Sequence, residues 1–555
     1  MRHELNILIG GEAGQGLVTV GELLARALVR SGYYIHVTQS YMSRIRGGHN
    51  TFSVRTGTAE VPGPTRGIDI LVALNRETIE LHEQDLKKAA AVLKDRDLDY
   101  QDLKTYNIPF KDLTPGPLYE NVAALGYIGA VLGLKQDILQ GCITSLFGKK
   151  KPDLVQKNIQ VLDAAYEAGG TSGLSGFELE AAVKGPGLMM TANDAAVLGA
   201  LTAGVNFCAY YPMTPATAIP MSLNTRGYDL GVVVEQAEDE IAAINMAIGA
   251  SYAGARAMVA TSGGGFALMC EGVSLAGMTE TPVVIIVGQR PGPATGLPTR
   301  TEQADLNLVV YAGHGEFPRA VFAPANPEQT FELTVKAFDL AEKSQGPVFL
   351  LTDQYMADSY RRVESLDLSA GDNPVLPGDS WPQAETYQRY ALTSSGVSPR
   401  LVPTTGSYLV VLDSDEHYQD GHITEDLKVR VKMNNKRLSK EKVLEEDIVP
   451  PEYFGPENPA QLLICWGSTL GPALEAMRLS GKNDLGVLHF SQVWPLNEDH
   501  FQEITADAFR VIFVESNATA QFAGLLQSKV CPVQRDFILR YDGLPMDAEY
   551  ILDRL

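Results

Sequence analysis

Six short apolar segments recur at regular intervals in the middle of the chain, each followed by a helical or glycine-rich piece. They lie near residues 207–211, 231–235, 257–261, 283–288, 319–323 and 347–352. Short apolar strands that alternate with helices are typical of a parallel sheet covered on both faces. The pattern therefore predicts an α/β domain between residues 191 and about 355.

The same alternation occurs again toward each end of the chain. At the N-terminal end, helical patterns at 17–32 and 121–134 separate apolar segments at 5–10, 34–39, 69–75 and 90–94. At the C-terminal end, strands are expected near 461–466, 486–490 and 510–515. We therefore predict the α/β fold class, with three doubly wound, mostly parallel sheet domains.

Domain boundaries follow from breaks in this rhythm, since 555 residues exceed what one hydrophobic core supports. The Gly- and Ser-rich segment 169–187 is typical of a linker, and the charged run 428–448 predicts an exposed helix or arm. The expected units are 1–183, 184–365, a connecting segment 366–458 with the charged arm, and 459–555.

Charge and cysteine content exclude several classes of protein. A net charge of −22 argues against nucleic-acid and anionic-membrane partners. The cysteines are far apart, so the chain itself should hold neither an iron–sulfur cluster nor structural zinc; they are Cys142, Cys208, Cys270, Cys465 and Cys531. Scattered thiols, a first apolar segment too short for a signal peptide and the lack of a 20-residue apolar run (the length that spans a bilayer) predict a soluble, cytoplasmic protein.

Glu240 opens a segment, IAAINMAIGASYAGA, that is almost entirely apolar or small. We expect this helix to be buried on every side and the carboxylate with it. The neighbouring acids Glu238 and Asp239 are better explained as solvated residues of the helix's first turn.

Three further features surround this segment in sequence. Thr214 lies in the turn YPMTP, Arg290 follows the apolar strand 283–288, and the turn Thr261-Ser262-Gly263-Gly264-Gly265 follows the strand 257–261. Together they could supply an anion clamp and hydrogen-bond donors. A turn residue, an arginine with a structural acid partner, and a glycine turn that lets a helix approach a strand remain the alternatives.

Several blocks of the sequence resemble one known family. YPMTP (211–215), AEDEIAAINMAIGAS (237–251) and QRPGPATGLPTRTEQ (289–303) look like the α subunit of the 2-oxoacid:ferredoxin oxidoreductases. WGSTLGPALEAM (466–477), FVESNATAQFAGLL (513–526) and RYDGLP (540–545) extend the likeness to a transketolase-C-terminal-like domain. The first ~180 residues resemble the family's γ domain, fused ahead of α, and the middle domain its pyrimidine-binding domain for thiamine diphosphate.

The resemblance implies roles for individual residues. Glu240 would hydrogen-bond N1′ of the thiamine diphosphate pyrimidine, and so promote the tautomer that removes the thiazolium C2 proton. Thr214 would hydrogen-bond the 2-oxoacid, and Arg290 would grip its carboxylate. Thr261, Ser262 and Gly263 are candidate cofactor contacts, although the glycine turn has an equally good structural explanation.

The glycine loop GGEAGQG (10–16) lies between a predicted strand and helix, where backbone N–H groups favour a phosphate. An acid that would hold the ribose of NAD is missing at the end of the next strand, so an NAD-linked dehydrogenase is disfavoured. The resemblance instead implies coenzyme A, for which Gly14, Gln15, Gly16, Ser43, Arg44 and Arg46 are the candidate contacts. A tight turn without a ligand, and a solvated loop or subunit contact at the arginines, are the alternatives.

The sequence also lacks what the family needs to complete the site. Neither Asp-Gly pair, Asp420-Gly421 or Asp542-Gly543, has the pattern that binds Mg²⁺ and a diphosphate. In the family this segment and the [4Fe–4S] cysteines belong to a separate β subunit. His417 and His422 are five residues apart in a polar, glycine-containing segment, so we expect a loop there and no metal site in this chain.

The resemblance therefore implies an α subunit that is active only with β, passes electrons to ferredoxin and is assembled as an (αβ)₂ heterotetramer. The expected reaction is CoA-dependent oxidative decarboxylation of a 2-oxoacid, or its reverse, with 2-oxoglutarate and succinyl-CoA favoured. Pyruvate or a branched-chain 2-oxoacid as substrate, and a non-catalytic subunit that binds coenzyme A or a partner, remain open.

Overall fold

A computed structural model describes residues 1–12, 15–42, 48–100, 105–148, 152–378, 386–404, 406, 408–497, 509–527 and 535–555. The strands form three sheets of eight, seven and five strands within these residues. All three are mixed sheets flanked by helices, and the predicted α/β class with three sheets is confirmed. The second and third are mostly parallel, whereas the first has three parallel and four antiparallel pairs of neighbours. None of the described helices is both long and apolar enough to cross a membrane.

The first sheet contains six N-terminal strands and two from later in the chain. They are β1 (Glu4–Glu12), β2 (Tyr34–Ser40), β3 (His49–Gly57), β4 (Ile68–Ala73), β5 (Leu86–Asp95), β6 (Thr105–Ile108), β7 (Leu188–Met190) and β14 (Arg361–Val363). The strand order is β6-β5-β4-β1-β3-β2-β14-β7. Strands β1, β4, β5 and β6 are parallel, whereas β3 is antiparallel to both β1 and β2.

Six helices accompany this sheet, and two of them were predicted. They are α1 (Leu17–Arg30), α2 (Arg76–His82), α3 (Phe110–Leu113), α4 (Glu120–Val131), α5 (Gln136–Phe147) and α6 (Pro152–Gly170). Leu24, Leu28 and Leu125 of α1 and α4 are fully buried in one cluster with Ile7 and Ile9 of β1. The core of this unit therefore lies between the helices and the central strands.

The second sheet contains all six strands predicted for the middle of the chain. They are β8 (Phe207–Tyr210), β9 (Val233–Gln236), β10 (Ala257–Ser262), β11 (Val283–Gln289), β12 (Ala320–Phe322) and β13 (Pro347–Asp353). Their order is β12-β13-β11-β10-β8-β9, all parallel, with one later strand, β18 (Gln492–Trp494), antiparallel to β12. Parallel strands bring their carboxyl ends to one edge, where ligands of such sheets bind.

Seven helices belong to this second unit. They are α7 (Ala192–Thr202), α8 (Ala218–Arg226), α9 (Glu240–Tyr252), α10 (Gly263–Met278), α11 (Leu306–Val310), α12 (Pro327–Ser344) and α13 (Gln354–Asp358). The prediction that α9 is buried on every side was wrong. Ile241 and Met246 are 48% and 41% exposed, because no described element of this chain covers that side of the helix.

The connecting segment contains α14 (Leu427–Ser439) and α15 (Glu441–Glu446), where an exposed charged arm was predicted. That prediction was half wrong, because Lys436 and Lys440 are buried and donate to the carboxylate of Glu280 at 2.7 and 2.5 Å. Burial and these lysines have opposite effects on Glu280, and the lysines dominate: its pKa is lowered to about 2. Lys436 and Lys440 are thus buried because they pair with a fully buried acid elsewhere in the chain. The spacing of residues along the helix does not predict such a pairing.

The third sheet comprises β15 (Glu452–Phe454), β16 (Gln461–Trp466), β17 (Leu485–Phe490), β19 (Arg510–Glu515) and β20 (Arg535–Leu539), in the order β15-β17-β16-β19-β20. Helices α16 (Leu470–Ser480), α17 (Gln521–Gln527) and α18 (Ala548–Leu552) accompany it. The units interlock: β7, β14 and β18 pair with sheets other than those of the sequence around them. Arg55 of β3 also binds the buried Glu475 of α16 at 2.9 Å.

Candidate active site

The turn between β10 and α10 lies at the carboxyl edge of the second sheet and holds three consecutive glycines. Close contacts leave no room for a side chain at two of these glycines. A methyl group on Gly265 would lie 2.6 Å from Glu240 Oε1 and closer still to Thr261 Oγ1. A methyl group on Gly263 would overlap the carboxylate of Asp305. Glycine here therefore lets two carboxylates pack directly against the backbone of the turn.

Glu240 is the first residue of α9, as the sequence predicted, and is 3% exposed. Asp239 before it is the N-cap, whose side chain accepts a hydrogen bond from the backbone N–H of Ala242 at 2.7 Å. Asp239 is thus a capping residue, and Glu238 is exposed, as expected. Within the described residues, Glu240 Oε1 is buried without a hydrogen-bond partner, and so is Ser262 Oγ.

Such orphaned buried atoms are rare, because each costs about 1–3 kcal/mol of desolvation that no hydrogen bond offsets. Here one of them, Ser262 Oγ, belongs to the glycine turn and the other, Glu240 Oε1, packs against it, at the edge of the sheet where ligands bind. The observation favours a ligand with polar atoms at this turn over the alternative of a purely structural glycine turn.

Arg290 follows β11 directly, and its guanidinium reaches the turn that contains Thr214. Its Nη1 donates to the carbonyl oxygen of Thr214 at 3.0 Å, and its Nη2 lies 3.4 Å from Met213 Sδ. Thr214 precedes a cis proline, and its side chain is exposed. The structure therefore brings these two predicted residues together, while neither Arg290 nitrogen binds a carboxylate within the described residues.

Asp305 was not among the residues singled out from the sequence. It is the N-cap residue of α11, its backbone N–H donates to Gln289 Oε1 at 3.1 Å, and its Oδ2 is buried without a partner in the described part of the chain. It lies between two predicted features, because it packs on Gly263 and its charge interacts with Arg290. The only signal for Asp305 in the sequence was its position, two residues after the motif that ends at Gln303.

Burial dominates the electrostatics of this site. It raises the pKa of Asp305 to about 6, an effect that the positive charge of Arg290 only partly opposes. Burial also lowers the pKa of Arg290, and it raises the pKa of Glu302, which the nearby Asp305 raises further. The site thus holds one cation beside two acids that ionise less readily than in water.

The loop that carries these residues is fixed by the third sheet. Gln303 is 1% exposed and makes four hydrogen bonds to it. Its side chain donates to the Trp466 carbonyl at 2.9 Å and accepts from the Ser516 N–H at 3.0 Å. Trp466 and Ser516 lie at the ends of β16 and β19, so the third sheet acts as a rigid support for residues 301–305.

The glycine loop that follows β1 belongs to a different part of the structure from the glycine turn. Gln15 accepts a hydrogen bond from the backbone N–H of Glu12 at 2.7 Å, and Gly16 has a φ of +75° and packs on Asn121. The other four residues predicted to contact coenzyme A, Gly14, Ser43, Arg44 and Arg46, lie outside the described residues.

A cavity of about 320 Å³ lies where the three sheets meet. Its lining includes Thr38 and Ser40 of the first sheet, Arg300 and Tyr355 of the second unit, and Arg540 of the third. Arg300 donates to Ser40 Oγ at 2.7 Å. Arg300 belongs to the same loop as Arg290 and Asp305, so one loop reaches both the cavity and the glycine turn.

The histidines considered for a metal do not form a site. His417 is buried, its Nδ1 lies 3.0 Å from the carbonyl of Asp415, and its ring packs on Tyr390. His422 pairs instead with Asp420 at 3.3 Å. A search of the described residues finds no group of three or more metal-ligating side chains.

The three interlocked sheets and the buried, unpartnered atoms at the carboxyl edge of the second define a multidomain α/β protein with a candidate ligand site in its middle domain. Family comparison supports this class. Residues 198–436 match a family described as pyruvate flavodoxin/ferredoxin oxidoreductase, thiamine diphosphate-binding, and residues 6–168 match one described as pyruvate ferredoxin/flavodoxin oxidoreductase.

The chain belongs to the 2-oxoacid:ferredoxin oxidoreductases and is an α subunit of that family. It is 32% identical to the 2-oxoacid:ferredoxin oxidoreductase subunit alpha of a Sulfolobus species, over 98% of this chain and 95% of that protein. It is 28% identical to the 2-oxoglutarate oxidoreductase subunit KorA of Mycobacterium tuberculosis, over 87% and 81% of the two chains. The resemblance inferred from the sequence is confirmed.

A solved structure shares the entire fold. The 2-oxoglutarate:ferredoxin oxidoreductase from Magnetococcus marinus, determined with 2-oxoglutarate, coenzyme A and succinyl-CoA bound, superimposes with a TM-score of 0.92 at 29% identity. The match covers 100% of this chain and 99% of that one. Coenzyme A therefore binds a relative with the same overall architecture.

Proposed function

We propose that this α subunit, together with a β subunit, catalyses CoA-dependent oxidative decarboxylation of 2-oxoglutarate to succinyl-CoA and CO₂, or the reverse, and exchanges electrons with ferredoxin. The observation that carries the proposal is the buried, unpartnered Oε1 of Glu240 on a glycine turn. An acid in this position has a clear use in a domain that binds thiamine diphosphate.

The residues of the turn fit the pyrimidine half of that cofactor. Glu240 would hydrogen-bond pyrimidine N1′, and Ser262 Oγ offers a second buried polar atom whose partner is absent from the described chain. Thr261 and Gly263 lie at the same turn as these two atoms, and we retain them as proposed cofactor contacts. When bound, the cofactor supplies a carbon nucleophile for attack on a keto group. Glu240 would hold and return the proton that activates it.

Arg290 and Thr214 are suited to bind the 2-oxoacid. The guanidinium is planar and forks toward a carboxylate, and only its Nη1 donates to a protein oxygen in the described structure. That bond holds the arginine against the Thr214 turn, so the threonine hydroxyl and the guanidinium are presented together. We assign Arg290 to the substrate carboxylate and Thr214 to a neighbouring substrate oxygen.

Coenzyme A is assigned to the first unit and the cavity at the meeting of the three sheets. Arg300 and Arg540 line this cavity, and cationic side chains suit the phosphates of the ligand. Its wall continues from β2, which leads to Ser43, Arg44 and Arg46. We retain these residues, with Gly14, Gln15 and Gly16, as the proposed coenzyme A contacts.

The preference for 2-oxoglutarate rests on relatives. The M. tuberculosis protein is named a 2-oxoglutarate oxidoreductase subunit, and the M. marinus structure contains 2-oxoglutarate and succinyl-CoA. The Sulfolobus relative is named only for 2-oxoacids, so pyruvate and branched-chain 2-oxoacids belong in the test.

A partner subunit is supported by the surface beside Glu240. Large apolar side chains are exposed on successive elements from α8 to α10; they are Met221, Tyr228, Leu230, Val233, Ile241, Met246 and Leu268. A concentration of exposed apolar residues marks a protein interface. We propose that β covers this surface, supplies Mg²⁺, the diphosphate site and the [4Fe–4S] clusters, and forms an (αβ)₂ assembly in the cytoplasm.

The test is to purify the chain with the β subunit encoded in the same organism and to measure reduction of ferredoxin by a panel of 2-oxoacids. CoA-dependent reduction with 2-oxoglutarate, well above that with pyruvate or a branched-chain 2-oxoacid, is expected. Equal or better activity with another 2-oxoacid would overturn the substrate assignment. No CoA-dependent activity with any of them would overturn the reaction.

A further inference from the structure

Asp305 is a partly buried acid in the candidate site that the proposed roles of Glu240, Arg290 and Thr214 leave unused. Its carboxylate packs on Gly263, at the start of α10, on the opposite side of the glycine turn from the contact between Glu240 and Gly265. Its Oδ2 is buried and has no hydrogen-bond partner among the described residues. An acid kept in this state destabilises the fold, which is typical of a residue retained for function.

Asp305 and Arg290 are opposite charges of the candidate site that do not form an ion pair. Their charges interact, yet they do not approach within the 4 Å of an ion pair in the described structure. Arg290 is held on its other side by the Thr214 carbonyl. Neither side chain is therefore fully partnered, and a ligand group that reaches both would accept hydrogen bonds from Arg290 and contact the Asp305 carboxyl group.

The 2-oxoacid carboxylate assigned to Arg290 is such a group, but it cannot lie beside an ionised Asp305 without repulsion. One guanidinium would then face two carboxylates in a partly desolvated site. A protonated carboxyl removes the repulsion and adds a donor, since its O–H can hydrogen-bond the substrate anion.

We propose that Asp305 binds the 2-oxoacid carboxylate as the protonated acid, so that each 2-oxoacid enters together with one proton from solvent. The proposal rests on the assignment of Arg290 to the substrate carboxylate. In the binding step Asp305 gains the proton, Arg290 keeps its charge, and no covalent bond other than the O–H is formed or broken.

The surroundings of Asp305 make this protonation accessible near neutral pH. Burial favours the protonated form of Asp305, whereas the positive charge of Arg290 favours the carboxylate. Burial wins, and the pKa of Asp305 is about 6 before substrate binds. A substrate anion raises this pKa further, so the acid changes state on binding between pH 6 and 8.

The experiment measures proton uptake by calorimetry in buffers of different ionisation enthalpy. The αβ complex is loaded with an unreactive thiamine diphosphate analogue, and 2-oxoglutarate is titrated at pH 7. The wild type should take up close to one proton per site, and its affinity should fall up to ~10-fold per pH unit above 6. Asp305→Asn, which keeps a hydrogen-bond donor, should bind without proton uptake and with little dependence on pH.

Glu302→Gln is the matched control, because Glu302 lies in the same loop and its pKa is also raised. It should retain the proton uptake of the wild type. Undiminished uptake in Asp305→Asn, or pH-independent binding by the wild type, would overturn the inference. Failure of the proposed function is seen separately, as a wild-type complex that oxidises no 2-oxoacid.

A second measurement needs no substrate. Replacing this partly buried acid by a neutral amide should raise the Tm of the complex, and more at pH 7.5 than at pH 5. The sign follows because the pKa of Asp305 is raised from an ordinary value of 3.8 to about 6 in the folded chain, so the destabilisation grows as pH rises from about 4 to about 6 and is complete above that. A lower Tm for Asp305→Asn would show a structural acid and contradict the proposal.

Discussion

Glu240 and Gly265 are packed so closely that a methyl group on the glycine would lie 2.6 Å from the Glu240 carboxylate. The contact joins the first residue of α9 to the first turn of α10. It places a buried, unpartnered oxygen at the edge of the second sheet. The position of this oxygen depends on the absence of a side chain at residue 265.

Gly265→Ala should therefore displace Glu240 and lower turnover. A shift of about 1 Å at a reacting group costs on the order of 100-fold in rate. Gly264→Ala is the control in the same turn, because its added methyl group would meet only the Ala294 carbonyl, at an ordinary 3.5 Å. Steady-state kinetics of both variants with β checks this expectation, and equal losses in the two would contradict it.

Arg290→Lys should raise the KM for the 2-oxoacid and leave the KM for coenzyme A near its wild-type value. The lysine ammonium is a point charge and cannot form the two parallel hydrogen bonds that a guanidinium makes to a carboxylate. A hydrogen bond to a charged group is worth about 1.5–3 kcal/mol, or roughly 10- to 100-fold in affinity. Replacing Arg44 and Arg46 together by Ala should have the opposite selectivity. Two variants that weaken the same ligand would show that one assignment is wrong.

Lys436→Met should destabilise the chain by about 1.5–3 kcal/mol, because it removes a charged hydrogen-bond partner from the fully buried Glu280, which keeps Lys440. Lys432→Met, on the exposed side of α14, is the control and should have little effect. The pKa of Glu280 is depressed to about 2, so the stability it contributes is present above pH ~4.5 and is lost as pH falls toward 2. Urea unfolding at pH 7 and pH 3 measures both effects.

The chain purified alone should be colourless and should not reduce a viologen dye with any 2-oxoacid. Its described cysteines, Cys142, Cys208, Cys270 and Cys465, are unpaired, and in sequence all five are too far apart for a cluster motif. Addition of β should restore iron–sulfur absorption and activity together. Stoichiometric iron or dye reduction by the isolated chain would refute the shared active site.

The parallel strands could be predicted from sequence because each is a short apolar run between helices. Strand β3 could not, since residues 49–57 include His49, Asn50 and Arg55 and have the composition of a loop. Arg55 is nonetheless 2% exposed, because Glu4 and Glu475 bind it within 2.9 Å. Partners that are far away in sequence thus bury a charge that the local pattern places in solvent.

Part of the candidate site could likewise be predicted from the sequence, and part could not. Glu240 and Arg290 belong to recognisable motifs, and the structure finds both at the expected strand and helix ends. Asp305 has no motif of its own, and its importance comes from a contact with Gly263 across 42 residues of chain. The prediction that α9 is buried on every side was also wrong, because an apolar sequence does not show whether a helix is buried by its own chain or by a partner.

The most direct test of the account is hydrogen–deuterium exchange at C2 of thiamine diphosphate bound to the αβ complex. The account predicts fast exchange in the wild type, and exchange slower by roughly 100- to 10,000-fold in Glu240→Gln, because the amide cannot hold and return a proton at N1′. Glu238→Gln, at an exposed neighbouring acid, should exchange as the wild type does. Unchanged exchange in a folded, cofactor-loaded Glu240→Gln complex would contradict the central claim.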